Sequence, residues 1–142
     1  MPHIRIKAQI GTFEKATQDK FVAKVTDAVL TAENASPNDI GAQSLTWAYF
    51  NEFPKGNVYI GKKNIDTPPI IIEVTTPQGA LNQSSRASLE KAINGIVNDF
   101  IGEFDNRLNH WLLMDEIAEG SWASAGIVFS LDDVKGAMNI PK

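Results

Sequence analysis

The chain repeats itself, and that repeat restricts its fold more than any single motif does. Apolar residues Phe21, Val25, Ala28, Val29 and Ala32 recur 68 positions later as Leu89, Ile93, Ile96, Val97 and Phe100. Both sets follow the i, i+4, i+7, i+8, i+11 spacing that lays one apolar stripe along a helix. Gly11 and Gly79 precede the two helices at the same offset, and Trp47 to Gly56 (WAYFNEFPKG) aligns with Trp111 to Gly120 (WLLMDEIAEG) at an offset of 64. The second alignment keeps the tryptophan, the glycine, and a glutamate at 52 and 116. The chain therefore reads as two copies of a strand, helix, strand unit. Parallel strands joined by a helix take a right-handed crossover, so two copies predict an α/β fold: a four-stranded sheet with two helices on one face.

Alternation and turn residues predict strands over Pro2–Ile10, Ser44–Phe53, Pro69–Thr75 and His110–Ile117. Thr17 and either Asn82 or Ser84 are suited to cap the two long helices. Ser36-Pro37-Asn38-Asp39 reads as a cap with a short turn, and Ser130-Leu131-Asp132-Asp133 as the start of a small C-terminal helix. The 142 residues suffice for one core. We expect a single domain over residues 1–142, with halves of about 2–61 and 69–129 and a C-terminal extension over 130–142.

Several function classes drop out on composition. The net charge of −4 comes from acids and bases mixed along the chain, with no basic stripe to follow a phosphate backbone, so no nucleic-acid partner is expected. Cysteine is absent, which removes disulfides and thiolate chemistry. No stretch approaches the roughly 20 apolar residues that cross a bilayer, so no membrane partner is expected and the cytoplasm is the default location. His3 and His110 are isolated and cannot assemble a metal site unaided. Ser121 and Ser124 lie outside any nucleophile-elbow pattern, and no glycine-rich phosphate loop occurs.

One face of the sheet calls for explanation. Along the first strand Ile4, Ile6 and Ala8 alternate with Arg5, Lys7 and Gln9, so one parity suits the helices and the other carries charge. Glu73, Glu52 and Glu116 offer opposite charges for cross-strand pairs. That polar face could meet water or the same surface of other subunits. At its start stands Pro2, directly behind Met1. A proline within a chain has a fully substituted amide nitrogen, whereas loss of Met1 would leave a secondary amine able to take a proton.

A proline at position 2, a twice-repeated βαβ unit and a glycine-bounded aromatic turn after the last strand together resemble the tautomerase superfamily. The chain looks like a fused, double-length relative of 4-oxalocrotonate tautomerase, of the tautomerase/MIF-like fold. Glu116 to Gly126 matches the family's acid, hydrophobic residue, short turn, aromatic and closing glycine, with Trp122 in the aromatic slot. Phe50 to Gly61 is similar to a stretch of cis-3-chloroacrylic acid dehalogenase. The resemblance implies a homotrimer and cofactor-free keto-enol chemistry on a small-molecule substrate, with Pro2 as general base or acid. The second-half counterpart of Pro2 is Ile70, beside Pro68 and Pro69, none of which has a basic nitrogen; one proline site per subunit is expected.

The chain also departs from the family's pattern. Thr12, Ala80, Trp47 and Trp111 stand where short tautomerases carry carboxylate-binding arginines. The dehalogenase's arginine pair falls near Pro77 and Ala80, its histidine on Val29, its glutamate near Ser124 and its tyrosine on Leu113, which argues against hydrolytic dehalogenation. Substitute substrate-binding groups are Asn51, Arg86 and Arg107, with Lys15 and Lys55 as further cations; each also has an ordinary solvated role. Trp122 fits either core packing or an apolar pocket wall. Two functional readings result: an isomerase that uses Pro2 on a 2-oxo acid or its enol, and a tautomerase-fold oligomer that binds without efficient chemistry.

Overall fold

The computed structural model describes residues 1–141. In chain order its elements are β1 (His3–Gln9), α1 (Lys15–Ala32), α2 (Ile40–Ser44), β2 (Trp47–Phe53), β3 (Tyr59–Ile60), β4 (Lys63–Asn64), β5 (Ile70–Pro77), α3 (Gln83–Ile101), β6 (His110–Ile117), β7 (Trp122–Ser124), β8 (Ile127–Phe129) and α4 (Leu131–Ala137). The main sheet has the order β2-β1-β5-β6. Its outer pairs, β1 with β2 and β5 with β6, are parallel, and β1 meets β5 antiparallel. Both halves thus build one sheet, and the pairing keeps both sequence offsets: His3 opposes Trp47 as Ile71 opposes Trp111.

The core forms as the alternation dictates. Ile4, Ile6, Ile70, Ile72 and Val74 pack beneath Phe21, Val25 and Val29 of α1 and Leu89, Ile93 and Val97 of α3 in one buried cluster. Phe13 stacks on Phe21 with ring centroids 4.8 Å apart, and Phe100 meets Phe21 edge-on at 5.2 Å. A second cluster joins Leu30, Ala35, Ala42, Val134, Met138 and Ile140, with Met1 packed against it. Through it α2 and α4 close over the end of α1 and the amino terminus.

Local signals resolve in three ways. Asn82 caps α3, its side chain accepting from Ser85 N while Ser85 Oγ accepts from Asn82 N, both at 2.8 Å. Thr17 caps nothing: α1 begins two residues earlier behind Glu14, where the Gln18 amide already donates to the Glu14 carbonyl at 2.8 Å. Ser44 ends α2 rather than opening a strand, because Asp39 caps that turn through the Ala42 amide at 2.7 Å.

Two short hairpins, β3 with β4 and β7 with β8, follow the outer strands. They too obey the repeat, since Ile60 opposite Lys63 becomes Ser124 opposite Ile127 at the offset of 64. The β7–β8 turn places Ala125 at φ 53° and Gly126 at φ 80°, the pair of positive angles that a two-residue type I′ hairpin requires.

The face opposite the helices is not uniformly polar. Glu73 accepts from Arg5 Nε and Lys7 Nζ, each at 2.7 Å, in the middle of that face. Its margins are apolar: Trp47 and Tyr49 on β2 and Trp111 and Leu113 on β6 are 59, 56, 60 and 43% exposed. Cross-strand charge pairing occupies the centre as the alternation implies, while the outer strands carry aromatics on the same parity.

Candidate active site

At the end of the sheet where β1 begins, a cavity of about 680 Å³ opens between the sheet, the β7–β8 hairpin and α4. That volume lies within the range of small-molecule sites. Pro2 and His3 enter it from the start of β1, Trp47 and Tyr49 from β2, and Trp122 and Phe129 from the hairpin. Topology explains the meeting. β1 runs antiparallel to β5, so the hairpin that follows β6 returns to the end of the sheet where β1 starts. Pro2 is buried, and its carbonyl accepts the Trp47 amide at 3.3 Å, which fastens the start of β1 to β2.

With Met1 in place the Pro2 nitrogen is an amide, and the terminal ammonium sits one residue back. It lies 3.2 Å from Glu33 Oε2 and 2.8 Å from the Met138 sulfur. Burial pulls this amine below its ordinary value, and the attraction of Glu33 resists that pull. Burial likewise raises Glu33 above the usual carboxylate range, against the pull of the ammonium.

His3 was not among the site residues expected from sequence, yet it lines the cavity. Its Nδ1 lies 3.1 Å from Arg5 Nη1. A guanidinium can only donate, so Nδ1 accepts and the ring proton resides on Nε2. That Nε2 is shielded from solvent and has no partner. Burial, and then the Arg5 charge, lower the pKa of His3, which keeps the ring neutral at pH 7. Tyr49 holds the ring edge-on with centroids 5.3 Å apart. The sequence signal was its position beside Pro2 at the head of the strand.

The other expected groups lie elsewhere in the chain. Asn51 is exposed on β2 beyond the cavity, in a shallow cleft with Lys15. Arg86 pairs with Glu116. Arg107 donates to the Thr67 carbonyl at 2.6 Å and lies 4.2 Å over the Phe104 ring. Thr12 and Lys55 border a separate pocket with Gly11 and Pro68. Pro2 and Trp122 are thus brought together, whereas Asn51, Arg86 and Arg107 do not join them within one chain. Among the described residues lining the cavity there is no lysine or arginine. No group of three or more His, Asp or Glu among the described residues is placed to hold a metal ion.

No protein-family model and no curated protein sequence matches the chain. Solved structures do. A fused 4-OT solved as a wild-type symmetric trimer is 16% identical, with 92% of this chain and 97% of that chain covered and a TM-score of 0.71. Pt0534 inactivated by 2-oxo-3-pentynoate is 16% identical, with coverages of 92% and 96% and a TM-score of 0.73. A member of the cis-3-chloroacrylic acid dehalogenase family is 12% identical, with coverages of 89% and 82% and a TM-score of 0.72. At these identities the likeness is one of fold: the chain has the tautomerase fold, in its fused, double-length form.

Proposed function

We propose that the chain is a tautomerase or isomerase in which Pro2, freed of Met1, moves a proton on a conjugated 2-oxo acid or its enol. The observation that carries this reading is that Pro2, His3 and Trp122 line one largely apolar cavity of about 680 Å³. An enol would lie with its planar body against Trp122, Trp47 and Tyr49. The Pro2 amine takes the enol O–H proton, the electron pair becomes the carbonyl π bond, and the ammonium returns a proton to carbon. Charge gathers on oxygen during transfer, and the Nε2–H of a neutral His3 is the donor available to meet it. A positioned base of this kind contributes about 10² to 10⁴-fold. We further propose that the working form is a homotrimer, since the aromatic margins of the open face are left uncovered in one chain.

A second reading, a tautomerase-fold protein that binds without efficient chemistry, has its own support. The described residues lining the cavity include no lysine or arginine to anchor a substrate carboxylate. Turnover of a phenyl-bearing enol acid by chain shown by mass to lack Met1 separates the two. Ketonisation no faster than in buffer would leave only the binding reading.

A further inference from the structure

Glu33 is an acid in a place that disfavours acids. It follows the last residue of α1, where unpaired carbonyls and the helix dipole concentrate negative charge. Its side chain is only 1% exposed, and Oε1 has no hydrogen-bond partner. Leu30, Ala35, Ala42, Val134 and Met138 form the apolar cluster beside it. A carboxylate so enclosed is strongly destabilising unless a positive charge answers it. The only positive group paired with it among the described residues is the terminal amine, 3.2 Å away.

No other ionisable group on the neighbouring elements takes that part. On α4, Asp133 is engaged with the Ser130 amide in the helix cap, Asp132 is an acid, and Lys135 forms no ion pair with Glu33. The α2 segment Ile40–Ser44 carries no charge, and its cap Asp39 is held by the Ala42 amide and by Asn139. On β1, His3 accepts from Arg5, which is committed to Glu73.

We propose that Glu33 is the positioning residue of the amino terminus, and that in the Met1-free chain its carboxyl holds the Pro2 amine and exchanges a proton with it. Consecutive backbone nitrogens are about 3.6 Å apart at most, so in the Met1-free chain the new amine starts within that distance of the position the old one holds beside Glu33. The pair then has two states of equal net charge, carboxylate with ammonium or carboxylic acid with free amine, related by one proton. In an apolar enclosure the uncharged pair gains on the charged one. Pro2 thus reaches its free-base form by passing its resting proton to a carboxylate that does not face bulk water, and the free amine then takes the enol proton and returns it to carbon.

This inference rests on the reading of Pro2 as the base, but it is tested separately by titrating the nitrogen itself. Protein verified by mass to lack Met1 and labelled with ¹⁵N-proline is followed by NMR against pH, as wild type, Glu33→Gln and Glu33→Asp. Loss of the carboxylate should lower the Pro2 midpoint by about one pH unit, and Glu33→Asp should restore most of the difference. In the unmutated chain the ¹³Cδ of Glu33 should report the same titration step as the Pro2 nitrogen, which decides the matter even if Glu33→Gln fails to fold. An unchanged Pro2 midpoint in Glu33→Gln, or a Glu33 carboxyl blind to the Pro2 step, would overturn the proposal. Coupled titration in a protein without turnover would sink the isomerase reading and keep Glu33 as partner of the amine; turnover that needs Pro2 without coupling would do the reverse.

Discussion

Arg5 and Glu73 are the same position in the two copies of the repeat, 68 residues apart, and they face each other directly across β1 and β5. The Arg5 Nε donates to Glu73 Oε2 at 2.7 Å. The pseudo-twofold axis relating the halves passes between them, because Ile4 opposes Val74 on one side as Ile6 opposes Ile72 on the other. Two identical halves would place like charges here. A fused chain can place opposite ones, and Lys7 adds a second cation on Glu73 at 2.7 Å.

Glu73→Gln should therefore destabilise the chain at pH 7 by about 1 kcal/mol, a modest figure because water reaches the open face of an isolated chain. Hydrogen bonds from Lys7, then Arg5, hold the Glu73 carboxyl below its ordinary value of 4.5. The contribution is thus fully present above that value and is lost as pH falls through the depressed folded value. Urea midpoints of wild type and Glu73→Gln should separate at pH 7 and converge in acid. A gap that persists at the lowest pH would assign the loss to packing.

The margins of the same face lead to a second expectation. Trp111 on β6 is as open to solvent as Trp47 on β2, and Leu113 and Tyr49 beside them are also exposed, an apolar display that association would cover. Light scattering at micromolar concentration should give three times the chain mass of 15.5 kDa. Trp111→Glu, which leaves the cavity lining untouched, should shift the species toward monomer. A wild-type chain that runs as a monomer would remove the homotrimer.

Substrate charge should matter in the direction set by the missing arginines. With no lysine or arginine among the described residues of the cavity wall, a second carboxylate finds no charge-assisted partner there. The ratio of kcat/KM should favour a phenyl-bearing monoanionic enol over a hydroxymuconate by tenfold or more, the order of one lost charge-assisted bond, about 1.5–3 kcal/mol. Preference for the dianion would point to a cation from a neighbouring subunit, with Arg86 and Arg107 the first to replace.

How much of this was legible depended on element length. The helix stripes span about three turns, so Phe21 and Leu89 could be paired at their offset from sequence, and the sheet followed. Hairpin strands of two or three residues, such as Tyr59–Ile60 and Trp122–Ser124, are too short to show a period. Glu33 reads as an ordinary solvated acid at a helix end; that it is buried against the Met1 amine depends on the chain start meeting the end of α1, a contact no local spacing encodes. His3 shares the strand parity of Arg5, but its unused Nε2 depends on where the guanidinium reaches, which no spacing encodes. Trp122 had to reach Pro2 across the sheet, and only the antiparallel meeting of β1 and β5 brings the two together.

His3 offers a test of the cavity's polar chemistry. Its neutral ring should act as a donor, so His3→Ala should lower kcat by about 10 to 100-fold at every pH, a smaller loss than for an oxyanion-hole donor already seated in its site. His3→Gln, which keeps an N–H, should recover part of it. Burial and Arg5 both lower the His3 pKa, so no limb of the pH profile should vanish in either variant. Loss of a limb would mean that His3 itself transfers the proton.

The last prediction concerns the amine. A chain-terminal amine titrates near about 7.7 to 8.0, and an apolar cavity walled by Trp122 disfavours its charged form. The Met1 amine already follows that direction, its pKa lowered chiefly by burial. In the Met1-free chain the free Pro2 base should accordingly be present at neutral pH, so kcat/KM should rise with pH through one ionisation and then level off. Retaining Met1 converts that nitrogen to an amide and should abolish the activity. Pro2→Ala should lose most of the rate, about 10²-fold or more, because a primary amine is solvated and oriented differently from the fixed pyrrolidine. Three samples checked by intact mass, Met1-free, Met1-retaining and Pro2→Ala, should therefore rank in that way under one assay. Equal rates with the same pH limb in all three would exclude the proline mechanism and leave some other base or the non-catalytic reading.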